Sequence, residues 1–459
     1  MHENISSLLA SVQEHASSWF QSIGDRPVPA SASAEELRRA LGGLLPQEGT
    51  SPKKMTEILV DAGKRGTVAS TGPRYFGFVV GGNLPAALAA DWLVSAWDQN
   101  AGIYVLSPLV SVIEEITGAW LRELAGLPPR MSFGFVTGGH MANFTALAAA
   151  RHRVLNNFGW DVEAKGLFGA PPVEVIASEE AHYTIATSVR FLGLGSDRVR
   201  RIPTDSQGRM RAPDLAAALR DIKGPCIVCA QAGNVNTGAF DPLSEIGECA
   251  KNCGAWFHVD GAFGLWAAVS PERKDLLRGI EKADSVATDA HKWLNVPYDC
   301  GITFCADESA HRAAMSLPAA YIVATGGERD PHEFVPEESR RARAVPVYAA
   351  VRSLGRKGLT DLVERSCRHA RRFADGLAAA GYEVLNEVVL NQVLVSFGTP
   401  EQTQDTIAAI QKDGTCWCGG TVWKGRTAMR ISVCNWSTTE ADVDRSIGAI
   451  LRAASEYAR

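Results

Sequence analysis

Through the middle of the chain, short apolar runs recur between longer stretches of helical spacing. Five of these runs, EVIAS (174–178), CIVCAQ (226–231), WFHVD (256–260), SVATD (285–289) and GITFC (301–305), are apolar almost throughout. A strand buried on both faces loses the in–out alternation, so such runs separated by helices predict a mostly parallel sheet covered on both sides. The flanks read differently. Residues 1 to about 95 hold two helical patterns, a Pro- and Ser-rich link near Arg26–Ser33, and the Gly-rich TGPRYFGFVVGGNLP. From about 345 the pattern is mixed: a long helix, strands at VLVSFG (393–398) and AMRISV (428–433), and a last helix opening at Ser437–Glu440 with capping-box spacing. The expectation is an N-terminal helical segment (1–95), a large α/β domain (96–340) with a sheet of about seven strands, and a small α+β domain (341–459).

Composition narrows the function classes. At 459 residues the chain is too long for one compact domain. A net charge of −5 gives no electrostatic case for nucleic acid or an anionic membrane as partner. The opening MHENISSLLASVQEHASSWF is amphipathic and carries acids, so it reads as a surface helix rather than a secretion leader. No apolar run reaches bilayer length, and a cytoplasmic protein is expected. The ten cysteines lie mostly in strand-like runs. Cys226-x-x-Cys229 would need a second ligand pair to hold zinc, and Cys249 and Cys253 have the spacing of one helix face. Buried, reduced thiols and no metal site are expected.

Four elements carry chemistry. Lys292 follows His291 at the end of the run SVATD, where ligands gather in open parallel sheets. A lysine desolvated there is a nucleophile toward an aldehyde, although a lysine after a strand is by itself commonplace. Asp260 ends WFHVD, 32 residues upstream, and fits either a helix cap or a partner for a protonated ring nitrogen. In FGFVTGGHMANF a strand meets Thr137-Gly138-Gly139 and then a helix, which suits a phosphate resting on free N–H groups or a plain tight turn. The glycine spacing matches neither a nucleotide P-loop nor a dinucleotide fingerprint. His182, in EEAH, follows EVIAS by a few residues and has the flat ring and titration range for stacking and proton traffic. Together, in this order past separate strands of one sheet, they supply an anchor, a ring stack, a pyridinium partner and an imine.

With these elements in place, the chain resembles the group II pyridoxal-phosphate (PLP) dependent amino-acid decarboxylases, of the fold type I typified by aspartate aminotransferase. The likeness runs from about Pro73 to the C-terminus through PRYFGFVVGG, the SP at 107–108, TGGHMAN, EEAH, GNVNTGAFDP, HVDGA, DAHKW, SRRAR and MRISVCNW. The resemblance implies that Lys292 forms the Schiff base and Asp260 faces the pyridine nitrogen. It implies that His182 stacks on the ring and Ala262 packs on the opposite face. Gly139 and His140 fall on the phosphate turn, with Asp289 and His291 also near the phosphate. Tyr321, 29 residues after the lysine, falls where a mobile-loop tyrosine returns a proton to Cα. The turn departs from the family pattern: His140-Met141 stands where a small hydroxyl residue and an acid are usual, and an imidazole then takes the hydroxyl's place beside the phosphate. The resemblance further implies a homodimer with the site at the subunit interface.

The reaction expected is decarboxylation of an L-amino acid to the amine and carbon dioxide. Its alternatives are transamination or carbon–carbon cleavage on the same scaffold, and a PLP-binding protein without turnover. Arg430 sits where aminotransferases of this fold hold a substrate carboxylate, and decarboxylases also carry an arginine there structurally. Substrate positions are expected near Phe78, Val79, Gly81 and Tyr104, and the loop ATGGERDPHEF (324–334) offers Arg329 and His332, either as selectors or as solvated charges.

Overall fold

The computed structural model describes residues 4–316 and 327–457. Seven strands form the large sheet: β1 (Ser132–Val136), β2 (Glu174–Ser178), β3 (Arg200–Ile202), β4 (Cys226–Gln231), β5 (Trp256–Asp260), β6 (Ser285–Asp289) and β7 (Gly301–Cys305). Their order is β1-β7-β6-β5-β4-β2-β3. Pairing is parallel from β3 through β6, and β7 runs antiparallel to both neighbours. GITFC is thus the one reversed strand of the sheet, which its apolar run does not reveal. Both faces are buried: Ile176, Val228, Val259 and Val286 belong to one core cluster, and Val175, Ala177, Ile227 and Cys229 to the other. Cys226 and Cys229 therefore point to opposite faces of β4, so the pair cannot chelate one ion. All ten cysteines are free thiols, eight of them buried.

The second sheet contains β8 (Glu383–Val384), β9 (Gln392–Ser396), β10 (Gly419–Trp423) and β11 (Arg426–Ser432) in the order β10-β11-β9-β8, all antiparallel. Its core gathers Val393, Val395, Met429 and Ile431 from the strands with Ile410 and Ile450 from two helices. A long helix, Ala344–Ala379, joins the two cores: Val347 and Val351 lie in the large one, Phe373 and Leu377 in the small one. Gly355, at φ 61°, breaks its helical geometry between those halves, a conformation that favours a residue without Cβ. The last helix begins at Glu440, and the capping box forms two residues later than expected: Thr439 and Asp442 exchange side chain–backbone bonds at 3.0 and 3.2 Å. Among the described residues five α-helices come before the large sheet, Ile5–Ser22, Ala34–Leu41, Pro52–Gly66, Pro85–Trp97 and Pro108–Leu124, and the first three contain no buried residue. Among the described residues no helix is long and apolar enough to cross a membrane.

Candidate active site

Parallel pairing of β5 with β6 sets their carboxyl ends side by side, with Asp260 opposite Ala287. The chains beyond them stay linked: Asp289 N–H donates to Ala262 O at 2.9 Å and Thr288 Oγ1 to Gly261 O at 2.9 Å. Past β6 the chain turns at once, which brings Lys292 Nζ to 2.8 Å from Asp289 Oδ2. Burial works against charge on this amine, but Asp289 outweighs it and holds Lys292 above the usual lysine range. His291 accepts the Cys300 N–H on Nδ1 at 3.1 Å, which leaves the proton on Nε2, 3.4 Å from Asp289 Oδ1. Burial, reinforced by the Lys292 charge against the pull of Asp289, keeps this imidazole below its ordinary pKa.

Bare backbone closes around this turn. A Cβ on Gly81 would lie 2.0 Å from Lys292 O, and one on Gly139 would lie 2.7 Å from Asp289 Oδ2. Gly139 opens the helix Gly139–Asn156, and its N–H donates to Asp289 Oδ1. Gly301 of β7 packs so tightly against Gly138 that a Cβ would meet its carbonyl carbon at 2.4 Å. The donor set fits PLP: an amine for the aldehyde, a helix N-terminus bare enough for a phosphate, a carboxylate for a ring nitrogen and an imidazole beside them. The His140 ring tilts against Phe191 at 5.4 Å, and its buried Nε2 has no hydrogen-bond partner among the described residues. Burial lowers its pKa.

Asp260 is buried and doubly held, accepting the Ala262 N–H on Oδ1 at 3.1 Å and Asn143 Nδ2 on Oδ2 at 3.1 Å. His182 caps the helix Tyr183–Phe191 and lies 2.8 Å from Thr184 Oγ1 through Nδ1. Its pKa is pushed down, first by burial and then by the Lys292 and Arg430 charges, with Asp260 and Asp289 pulling the other way. Lys292, Asp260, Asp289 and Arg430 thus all act on one imidazole. Arg430, on β11, donates to Val235 O at 3.1 Å and has no carboxylate partner among the described residues.

Other expected positions fare unevenly. Phe78 and Val79 both have positive φ, 58° and 76°. Phe78 is exposed and stacks on Trp417 at 5.4 Å, while Val79 is buried. Tyr104 is half-buried with its N–H on Asp330 Oδ1 at 2.8 Å, and no hydrogen bond or ring contact among the described residues joins its side chain to Lys292. Tyr321 lies outside the described residues. Arg329 is not a solvated charge: it bonds buried Glu114 at 3.1 Å, which also binds Arg340 at 2.8 Å. His332, likewise buried, pairs with Glu338 at 3.2 Å.

Sequence reasoning missed Asn295. It is fully buried, and its Oδ1 accepts from Gly82 N at 2.6 Å and Trp436 N at 2.9 Å. Its Nδ2 donates to Trp293 O at 2.9 Å and Cys434 O at 3.0 Å. One amide thereby fastens the lysine turn to the Gly-rich segment and to the chain beyond β11. Its position three residues past Lys292 was the available signal; the backbone there stands at φ 52°.

Known proteins resemble the chain over most of its length. Residues 37–399 match the pyridoxal-dependent decarboxylase conserved domain. The L-2,4-diaminobutyrate decarboxylase of Rhizobium meliloti (strain 1021) is 32% identical over 388 residues, 81% of this chain and 75% of that protein. The aromatic-L-amino-acid decarboxylase of Bacillus atrophaeus is 28% identical over 92% of this chain and 89% of its own length. Among solved structures, Oryza sativa TDC with PLP and tryptamine superposes with a TM-score of 0.93 at 22% identity, covering 99% of this chain and 98% of that one. Mouse CSAD does so with a TM-score of 0.91 at 26% identity over 98% of each chain. A chain that matches across most of its length belongs to the pyridoxal-dependent decarboxylase family and decarboxylates an amino acid with PLP as cofactor.

Proposed function

We propose that Lys292 is the residue that bonds the cofactor aldehyde and that Asp260, His182 and the Gly139 turn complete the site around it. The observation that carries this reading is the meeting of Lys292 and Asp289 at 2.8 Å beside Asp260 and the bare helix N-terminus. When bound, the cofactor supplies an electron sink for the pair left at Cα as carbon dioxide departs. Asp260 holds a proton at the ring nitrogen, as an ionised carboxylate does for a pyridinium. His182 presents a flat imidazole, largely neutral because burial and the Lys292 and Arg430 charges lower its pKa, for stacking. Ala262 leaves the other face open to a ring. The turn at Gly139 and His140, with His291, holds the phosphate, and Asp289, which accepts the Gly139 N–H, keeps the amine charged until the aldehyde arrives. Arg430 draws in the substrate carboxylate, Phe78 and Tyr104 border the substrate, and Tyr321 returns the proton to Cα.

The substrate screen measures carbon dioxide and keto acid together from each common L-amino acid. One amino acid yielding amine and carbon dioxide in equal amounts is expected, with Lys292→Ala inactive. Stoichiometric keto acid would replace this reading with transamination.

A homodimer is also proposed. Apolar side chains stand exposed on the helix Pro85–Trp97 (Trp92, Leu93, Trp97) and on the following segment (Val105, Leu106 and Leu109). Apolar exposure of this kind suits an interface, and the three N-terminal helices that bury nothing in the monomer need a second surface to rest on. Ten free thiols suit a reducing compartment, in keeping with a cytoplasmic enzyme.

A further inference from the structure

Behind Asp260 runs a line of buried polar groups that neither the expected mechanism nor the comparisons assign. Asn143 Nδ2 donates to Asp260 Oδ2 at 3.1 Å. Asn143 Oδ1 lies 3.0 Å from His258 Nε2, His258 Nδ1 lies 2.9 Å from Ser285 Oγ, and Trp256 Nε1 donates to Ser285 Oγ at 2.8 Å. His258 and Ser285 are fully buried, and Asn143, Asp260 and Trp256 nearly so, at 5% exposure or less.

Its two ends fix every direction in between. The Trp256 indole only donates, and an ionised Asp260 only accepts. An ionised Asp260 turns the Asn143 NH2 toward itself, so Asn143 Oδ1 faces His258 and takes a proton from Nε2. His258, neutral because burial pushes its pKa down to about 4, then accepts on Nδ1 from the Ser285 hydroxyl. Ser285 Oγ keeps a lone pair for Trp256. Every group is satisfied, and every bond donates toward Asp260.

The reverse order fails. A proton on Asp260 Oδ2 would be donated to Asn143, the amide would flip, and His258 would donate from Nδ1 to Ser285. Trp256 and His258 would then both donate to Ser285, whose own hydroxyl proton would have no acceptor, since those two are its partners among the described residues. A buried donor without a partner costs about 1–3 kcal/mol. The second N–H of the Asn143 amide points to Thr184 Oγ1 at 3.3 Å, which frees the threonine proton for His182 Nδ1 at 2.8 Å and leaves the His182 proton on Nε2.

We propose that Asn143, oriented through Trp256, Ser285 and His258, is a positioning residue that holds Asp260 Oδ2 as a hydrogen-bond acceptor and His182 in its Nε2–H form. The proposal rests on the reading of Asp260 as partner of the ring nitrogen. Binding titrations of the apoprotein test it, with pyridoxal phosphate and with its 1-deaza analogue, in which carbon replaces the ring nitrogen. Asn143→Leu is expected to weaken pyridoxal phosphate about tenfold, the size of one lost hydrogen bond to a charged group, and the analogue less than twofold. His258→Gln, whose amide still donates to Asn143, is expected to recover most of the preference that His258→Leu loses. Equal weakening of both ligands by Asn143→Leu, or no weakening of either, overturns the proposal. Asp260→Asn is the control: it is expected to erase the preference for pyridoxal phosphate, and if it does not, the reading of Asp260 fails and the proposal falls with it.

Discussion

The Lys292 amine and the Asp289 carboxylate meet at 2.8 Å, and the same carboxylate accepts the Gly139 N–H at the start of the helix Gly139–Asn156. One buried side chain therefore touches both the proposed nucleophile and the proposed phosphate seat. Because Asp289 holds the Lys292 pKa up, the pair stabilises the fold fully below the ordinary lysine value of 10.5 and loses that contribution as pH rises through the raised value.

Replacing Asp289 by Asn is expected to lower the Lys292 pKa and enlarge the neutral amine fraction near pH 8. Imine absorbance on mixing apoprotein with pyridoxal phosphate should grow several-fold faster, with the midpoint of its pH dependence moved down. An unmoved midpoint would mean that Asp289 does not control the amine.

Gly139→Ala places a Cβ 2.7 Å from Asp289 Oδ2, which Lys292 and His291 hold in place. Equilibrium titration should show cofactor affinity reduced about tenfold or more, the scale of one disrupted charged contact. His140→Ala, whose ring packs on Phe191, should change affinity less than threefold. The opposite ranking would put the imidazole, not the backbone, on the phosphate.

His311 is fully buried against Ser132 Oγ at 2.9 Å, and burial pushes its pKa down to about 3. A histidine kept neutral by the fold gives stability that is present above its unfolded value near 6.5 and drains away as pH falls toward the folded one. Between pH 6.5 and 4 this single group removes about 3 kcal/mol, one proton's worth of slope. Calorimetry should find the fall in Tm over that range smaller in His311→Gln than in the parent. Parallel curves would show that His311 is not held neutral.

Leu106→Arg with Leu109→Arg puts two charges into the exposed apolar segment, where each side chain is just over half exposed at 52% and 55%. Sedimentation should show dimer for the parent and monomer for the double variant. A monomeric parent would remove the proposed interface.

Much of the large sheet was legible because burial on both faces writes a strand as an unbroken apolar run. EVIAS, CIVCAQ, WFHVD, SVATD and GITFC coincide with β2, β4, β5, β6 and β7. Strand direction leaves no such trace, so the reversal of β7 was invisible. β3 and β8 are two or three residues long and partly exposed, too short to show a period. In the site, Lys292, Asp260 and His182 stood out through their positions at strand ends. Asn143 and Asn295 did not, because a buried amide acts through partners distant in sequence, 115 residues away for Asn143 and His258. His258 itself left a mark, a lone polar ring inside an apolar strand. Arg329 looked solvated from its Gly-rich surroundings, and its buried partner Glu114 lies 215 residues upstream.

Borohydride reduction of the loaded protein followed by peptide mass spectrometry tests the central assignment most directly. The account predicts a single phosphopyridoxyl adduct on the peptide carrying Lys292, absent from Lys292→Ala. An adduct on a different lysine, or an unmodified Lys292 in protein that still releases carbon dioxide, would contradict it.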